Sequence, residues 1–210
     1  TVDPGFTEDK WITGAEIIPS NRAVVHHVIV FMSTDVKVMD EEQQMVKAYV
    51  PGLRIEAYPK GMAKRIPKGA RLRFQMHYTP NGAETTDLSR AGLVYIDPKK
   101  VEKQLLTDAV VNFRLQIPPH ADNHAINAEF GLGRNMRLVS LLPHMHLRGK
   151  AFRVDLQAPG AASQLLLNVP RYDFNWQNSY VFAEPVRLPE GSMLHCRAVY
   201  DNSSNNLLLQ

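Results

Sequence analysis

Two short histidine pairs, His26-His27 in VVHHVIVF and His144-x-His146 in LLPHMHLRG, and a lone histidine, His77 in RLRFQMHYTPNG, are the residues of this chain best suited to chemistry. Neutral imidazoles carried on β-type runs form a rigid set of nitrogen donors, the donor type that copper and zinc take. Side chains alternate across a strand, so both imidazoles of an H-x-H pair leave one face and aim at one point. In 138–146 that face carries Leu142, His144 and His146, and the opposite face carries Leu141, Pro143 and Met145. His77 shares the polar face of 71–78 with Arg71, Arg73 and Gln75, away from Leu72, Phe74 and Met76. The adjacent His26 and His27 point to opposite faces of a regular strand. Their joint binding of one ion requires a bulge, a strong twist, or one ring using Nδ1 and the other Nε2.

The elements that must position these rings read as strands almost throughout. Apolar residues recur with period two far more often than 3.6. The clearest runs are 24–32, 71–78, 91–97, 108–117, 136–146, 152–157, 163–169 and 192–200, separated by turn chemistry such as Pro51-Gly52, Pro80-Asn81-Gly82, Pro159-Gly160 and Pro189-Glu190-Gly191. One short helix is expected at 40–47, DEEQQMVK, with acidic residues first and lysine last as the helix dipole favours. The polar, lysine-rich stretch DPKKVEKQ between Ile96 and Asp108 marks a domain boundary, giving domains 1–100 and 101–210. Each then has about 100 residues, the usual size of a β-sandwich. The expected fold class is all-β.

Composition removes several function classes. The chain has 210 residues, 44% of them hydrophobic, enough to bury one large or two small cores. Its 24 basic and 21 acidic residues leave a net charge of +3 without a basic stripe, so no nucleic-acid partner is expected. No apolar run approaches the roughly 20 residues of a membrane-spanning helix, and no membrane span is expected. The chain opens on Thr1, with no signal peptide, and closes at Gln210 after DNSSNN, which reads as an excised fragment. The single cysteine, Cys196, has no disulfide partner and shares a strand face with Leu194 and Ala198, where it packs as a small hydrophobe. His120, His124 and His195 read as solvent-facing or locally hydrogen-bonded, and Met32, Met76 and Met145 as core filling.

The order of the motifs adds a resemblance. VVHHVIVF, then QMHY, then PHMHLRGK, then MLHCRAVYDN resembles the copper type II, ascorbate-dependent monooxygenases, the family of peptidylglycine hydroxylating monooxygenase and dopamine β-monooxygenase, over essentially the whole chain. The resemblance implies two jelly-roll-like β-sandwich domains side by side across a cleft, with one copper on each. It implies that His26, His27 and His77 hold an electron-donating copper on the N-terminal domain, and that His144 and His146 hold the catalytic copper on the C-terminal domain. Ascorbate would be the reductant, dioxygen and a small molecule the substrates, and the periplasm or the exterior the location. Three imidazoles suit a copper that exchanges electrons, whereas two imidazoles and a thioether make a softer site favouring Cu(I).

Three departures from the family qualify those expectations. The family's methionine ligand lies on the strand after the one matching MLHCRAVYDN, so it is expected beyond Gln210, and neither Met145 nor Met193 takes its place. Peptide-amidating members carry an arginine two residues before the first histidine of H-x-H, where this chain has Leu142, so the expected substrate is not a peptide carboxylate. Animal members are rich in disulfides and Cys196 has no partner, which points to a bacterial or simplified relative. The alternative functions are a noncatalytic copper-binding or electron-transfer module, and a zinc or non-haem iron enzyme. The last requires a carboxylate beside H-x-H, and 138–150 contains none.

Overall fold

The computed structural model describes residues 1–34, 44–50 and 58–209. The fold is all-β and divides into two compact units, Thr1–Asp108 and Ala109–Gln210. In the first unit the strands are β1 (Lys10–Ile18), β2 (Val25–Ser33), β3 (Gln44–Tyr49), β4 (Met62–Ile66), β5 (Arg71–Tyr78), β6 (Arg90–Tyr95) and β7 (Lys103–Gln104). They form a four-stranded sheet in the order β6-β1-β4-β7 and a three-stranded sheet in the order β3-β2-β5. The two sheets share one core. Ile12, Ala15 and Ile17 from β1 and Ile66 from β4 join Val25, Val28, Val30 and Met32 from β2, Val46 from β3 and Leu72 from β5. Burial of each large aliphatic in that core contributes roughly 1.5–3 kcal/mol, and it holds β2 and β5 side by side.

Residues 101–108 pack with the first unit. β7 pairs in parallel with β4, Glu102 and Lys103 donate their backbone N–H groups to the Gly61 carbonyl, and Leu105 donates to Ala63. The expected strand at 108–117 is irregular backbone instead, with Val111, Phe113 and Leu115 exposed. Its apolar residues alternate, but no neighbouring strand takes up its backbone groups in a ladder. Of the expected helix at 40–47, residues 44–47 are the start of β3, paired with β2, and residues 40–43 lie outside the described residues. Pro51-Gly52 lies outside them too.

The second unit contains β8 (His124–Gly131), β9 (Met136–Leu141), β10 (Gly149–Gln157), β11 (Gln164–Val169), β12 (Tyr180–Leu188) and β13 (Met193–Tyr200). A four-stranded sheet runs β11-β10-β13-β8, and β12 pairs with β9. Val154 and Leu156 of β10, Leu188 of β12, Leu194 of β13 and Leu132 form the core, with Cys196 packed against it. Burial pushes the Cys196 thiol up to about 11, so it stays protonated and unreactive at neutral pH. No helix among the described residues is long and apolar enough to cross a membrane.

Lys64 of β4 is an ionisable group inside the first unit, 2% exposed. Its Nζ donates to the carbonyls of Met45 (2.6 Å) and Val46 (3.2 Å) and to Thr107 Oγ1 (2.8 Å), which uses all three ammonium hydrogens and ties β3 and the end of the unit to β4. Burial, aided by the Lys47 charge and opposed by Asp108, lowers its pKa from 10.5 to about 8. Between pH 8 and 10 the unfolded chain keeps a proton that the folded chain has released, so stability rises with pH in that window. The full shift corresponds to a penalty on the order of 3 kcal/mol below pH 8. Urea unfolding at stepped pH should show wild-type stability gaining on that of Lys64→Met across this window, while the burial-raised Cys196, Tyr58 and Tyr172 act in the opposite direction in both proteins. An identical pH dependence in both would assign the effect to other groups.

Candidate metal centres

His26, His27 and His77 meet where β2 and β5 pair. β2 is in register with β5 from Ser33 opposite Arg71 down to His27 opposite His77, and the next pair is Val25 opposite Tyr78. Two residues on β2 thus span one on β5, and His26 is the extra residue of a β-bulge. Of the routes by which adjacent histidines can converge, the chain takes the bulge. Val25, Val28, Val30 and Met32 face the core, so the apolar step from 25 to 28 is three residues where a regular strand would give two. That extra step lets His26 join His27 away from the core.

The three rings form a compact cluster. Ring centroids lie 5.3 Å apart for His26 and His27, 5.2 Å for His26 and His77, and 4.6 Å for His27 and His77. The Nδ1 atoms of His26 and His27 are 3.1 Å apart. One nitrogen from each ring lies within 4.8 Å of the others. Metal–nitrogen bonds of about 2.0–2.1 Å at tetrahedral angles put ligand nitrogens about 3.3 Å apart, so small ring rotations complete such a set. Among the described residues this is the only group of three histidine, cysteine or carboxylate side chains close enough to share an ion. His27 is the most enclosed of the three and His77 is exposed, which leaves one side open to solvent-borne reactants.

The second histidine pair is positioned differently from the sequence expectation. The run expected at 136–146 stops as a strand at Leu141, and His144 and His146 follow in an extended segment without ladder pairing. Side-chain alternation persists: Pro143 and Met145 are buried, and Leu142, His144 and His146 are exposed. The two rings lie together, with centroids 5.1 Å apart at 81°. Met145 is 2% exposed, buried between the two exposed histidines.

Side-chain clamps replace the missing ladder. Tyr172 Oη accepts from the Met145 N–H (2.9 Å) and donates to the Met145 carbonyl (2.7 Å), holding the residue between the histidines at both backbone groups. Burial pushes the Tyr172 phenol up to about 12, so it remains a donor across the physiological range. Gly149 donates to the His146 carbonyl (2.8 Å), and Asp201 donates its N–H to the Arg148 carbonyl (2.8 Å). His144 Nδ1 lies 2.5 Å from Oε1 of Gln177, whose Nε2 donates to the Phe174 carbonyl (2.9 Å). Gly149 closes the LLPHMHLRG run, whereas Tyr172 and Gln177 belong to no motif read from the sequence. Gln177 lies in the undistinguished run FNWQNSY, and only the folded chain brings it to His144.

The remaining histidines stay apart from both clusters. His195 Nδ1 is 3.0 Å from Glu129 Oε1 on the outer face of the β8–β13 pair, a local contact of the kind expected. No protein-family model matches this chain, and no curated protein matches it at a significant level.

Proposed function

We propose that this chain is a copper-dependent monooxygenase that hydroxylates a C–H bond of a small-molecule substrate with dioxygen and an ascorbate-type reductant. His26, His27 and His77 hold the electron-donating copper, and His144 and His146 hold the catalytic one. The observation that carries this reading is the β-bulge at His26, which places three imidazoles from two strands within reach of one ion. A bulge interrupts pairing at a cost in ladder hydrogen bonds, and the extra residue it accommodates here is a histidine, His26. The donor chemistry fits copper at both places: three neutral imidazoles at the first, two exposed and adjacent imidazoles at the second. Bound copper would supply one-electron exchange at the first centre and reduction of dioxygen at the second. For each turnover the substrate C–H becomes C–OH, and the second oxygen atom leaves as water with two electrons from the reductant and two protons. Leu142, exposed on the face that carries both histidines, puts an apolar group where a carboxylate-binding member carries arginine. The substrate is accordingly a molecule without a peptide carboxylate, and the location is periplasmic or secreted.

A second reading, a copper electron-transfer module, is favoured by one observation: three donors converge only at the first centre among the described residues. His144→Ala separates the two readings. In the monooxygenase, the substitution abolishes ascorbate-dependent oxygen consumption of the copper-loaded protein, while ascorbate still bleaches the Cu(II) EPR signal of the first centre. In the electron-transfer module, the wild type itself reduces copper without consuming oxygen above a copper-free control. Undiminished oxygen consumption by His144→Ala overturns the catalytic assignment of His144.

A further inference from the structure

We infer that Gln177 is a positioning residue for the second histidine pair, because its buried carboxamide fixes the neutral ring of His144 in the tautomer with hydrogen on Nδ1 and the lone pair on Nε2. The inference rests on the reading that His144 is a metal ligand, and on neither the identity of the metal nor turnover.

The argument is one of hydrogen-bond direction. Gln177 is 6% exposed, so both ends of its amide must find partners inside the protein. Its Nε2 donates to the Phe174 carbonyl at 2.9 Å, and a carbonyl oxygen can only accept. Turning the amide over would let its N–H₂ donate to an unprotonated Nδ1 of His144, but only by setting Oε1 against the Phe174 carbonyl, two acceptors facing each other inside the protein. The turn holding Phe174 is itself fixed, since Trp176 donates its N–H to the Asp173 carbonyl at 3.0 Å and Asn175 donates to Asp173 Oδ1 at 2.8 Å. Oε1 is therefore the atom that meets His144, and the ring nitrogen 2.5 Å away must supply the proton. In a neutral imidazole only one nitrogen carries hydrogen, so Nε2 is left with the lone pair that a metal requires. Metal-ligating histidines are commonly oriented this way by an acceptor on the other ring nitrogen, and loss of that partner costs 10- to 100-fold in metal affinity.

The test begins on the metal-free protein. Nitrogen-15 NMR at a pH where the imidazoles are neutral should show His144 protonated at Nδ1 and unprotonated at Nε2. Gln177→Leu should mix or reverse that pattern and Gln177→Glu, which keeps an acceptor, should retain it. Cu(I) affinity at the second centre, read by competition with a chromophoric chelator in the His77→Ala background, should fall by about 10- to 100-fold in Gln177→Leu and recover to within several-fold in Gln177→Glu. A packing role alone would move neither the tautomer nor its recovery. Hydrogen on Nε2 of His144 in the wild type overturns the inference even if Gln177→Leu does not fold, and so does wild-type Cu(I) affinity in folded Gln177→Leu. The expected tautomer and affinity loss in a protein that consumes no oxygen with ascorbate uphold the positioning role while refuting the monooxygenase.

Discussion

If the proposed copper assignment holds, replacing His77 by alanine should remove one equivalent of tightly bound copper and leave a second equivalent in place. His77 supplies one of the three imidazoles of the first centre, directly opposite His27 across the β2–β5 pair. Loss of a ligand costs more than the 10- to 100-fold that accompanies loss of an outer-shell partner, so the first centre empties at copper concentrations that saturate it in the wild type. The second histidine pair belongs to the other compact unit, shares no ligand with the first, and is clamped by residues of its own unit. Sites without shared partners respond independently. Because His77 is exposed and the β2–β5 core consists of residues on the opposite face, the substitution leaves the melting temperature within a few degrees of the wild type. Copper titration with metal analysis of the gel-filtered protein checks the stoichiometry. Loss of both equivalents together would show that the histidines form one joint centre.

Much of this architecture is legible in the sequence, and the exceptions have physical causes. β5 follows the alternation in RLRFQMHY residue for residue, because each of its apolar side chains has one clear face. The bulge in β2 is written in the three-residue step from Val25 to Val28. It is masked by Val24, which is also buried and lies in phase with Val28, Val30 and Met32, so the same letters fit an unbroken strand. At 108–117 the alternation is equally clean, yet Phe113 is 93% exposed. A period-two pattern records which residues could share a face, not whether a neighbouring strand is present to pair with them. The five histidines of the two centres were recognisable by type and spacing. Their supports were not, since Tyr172 lies 27 positions along the chain from Met145 and Gln177 lies 33 from His144.

Gly149→Val dismantles the second centre without touching either of its histidines. A Cβ at residue 149 would lie 2.7 Å from Cδ1 of Tyr172 and 2.8 Å from Cβ of Met145, distances that no side-chain rotation at Met145 relieves. The tyrosine ring must therefore move, and it is held beside Gly149 by the Tyr172 N–H bond to the Lys150 carbonyl. Moving the ring breaks the two bonds by which Tyr172 Oη grips the backbone of Met145, the residue between His144 and His146. Overpacking of this kind costs about 1–3 kcal/mol, and two lost hydrogen bonds cost about 1 kcal/mol each, so the second unit loses about 3 kcal/mol or more. The functional loss is larger than the stability loss suggests, because the segment carrying the histidines has no strand ladder to fall back on. Copper at the second centre should weaken by at least tenfold, the lower end of the cost of losing an outer-shell support, while the three-histidine centre keeps its affinity. Gly149→Ala, which introduces the same Cβ with less bulk, should fall between the two. Urea unfolding followed by tyrosine and tryptophan fluorescence, beside copper titration of each variant, makes the comparison. Wild-type copper affinity at the second centre of Gly149→Val would mean that His144 and His146 are positioned by something other than the Tyr172 clamp.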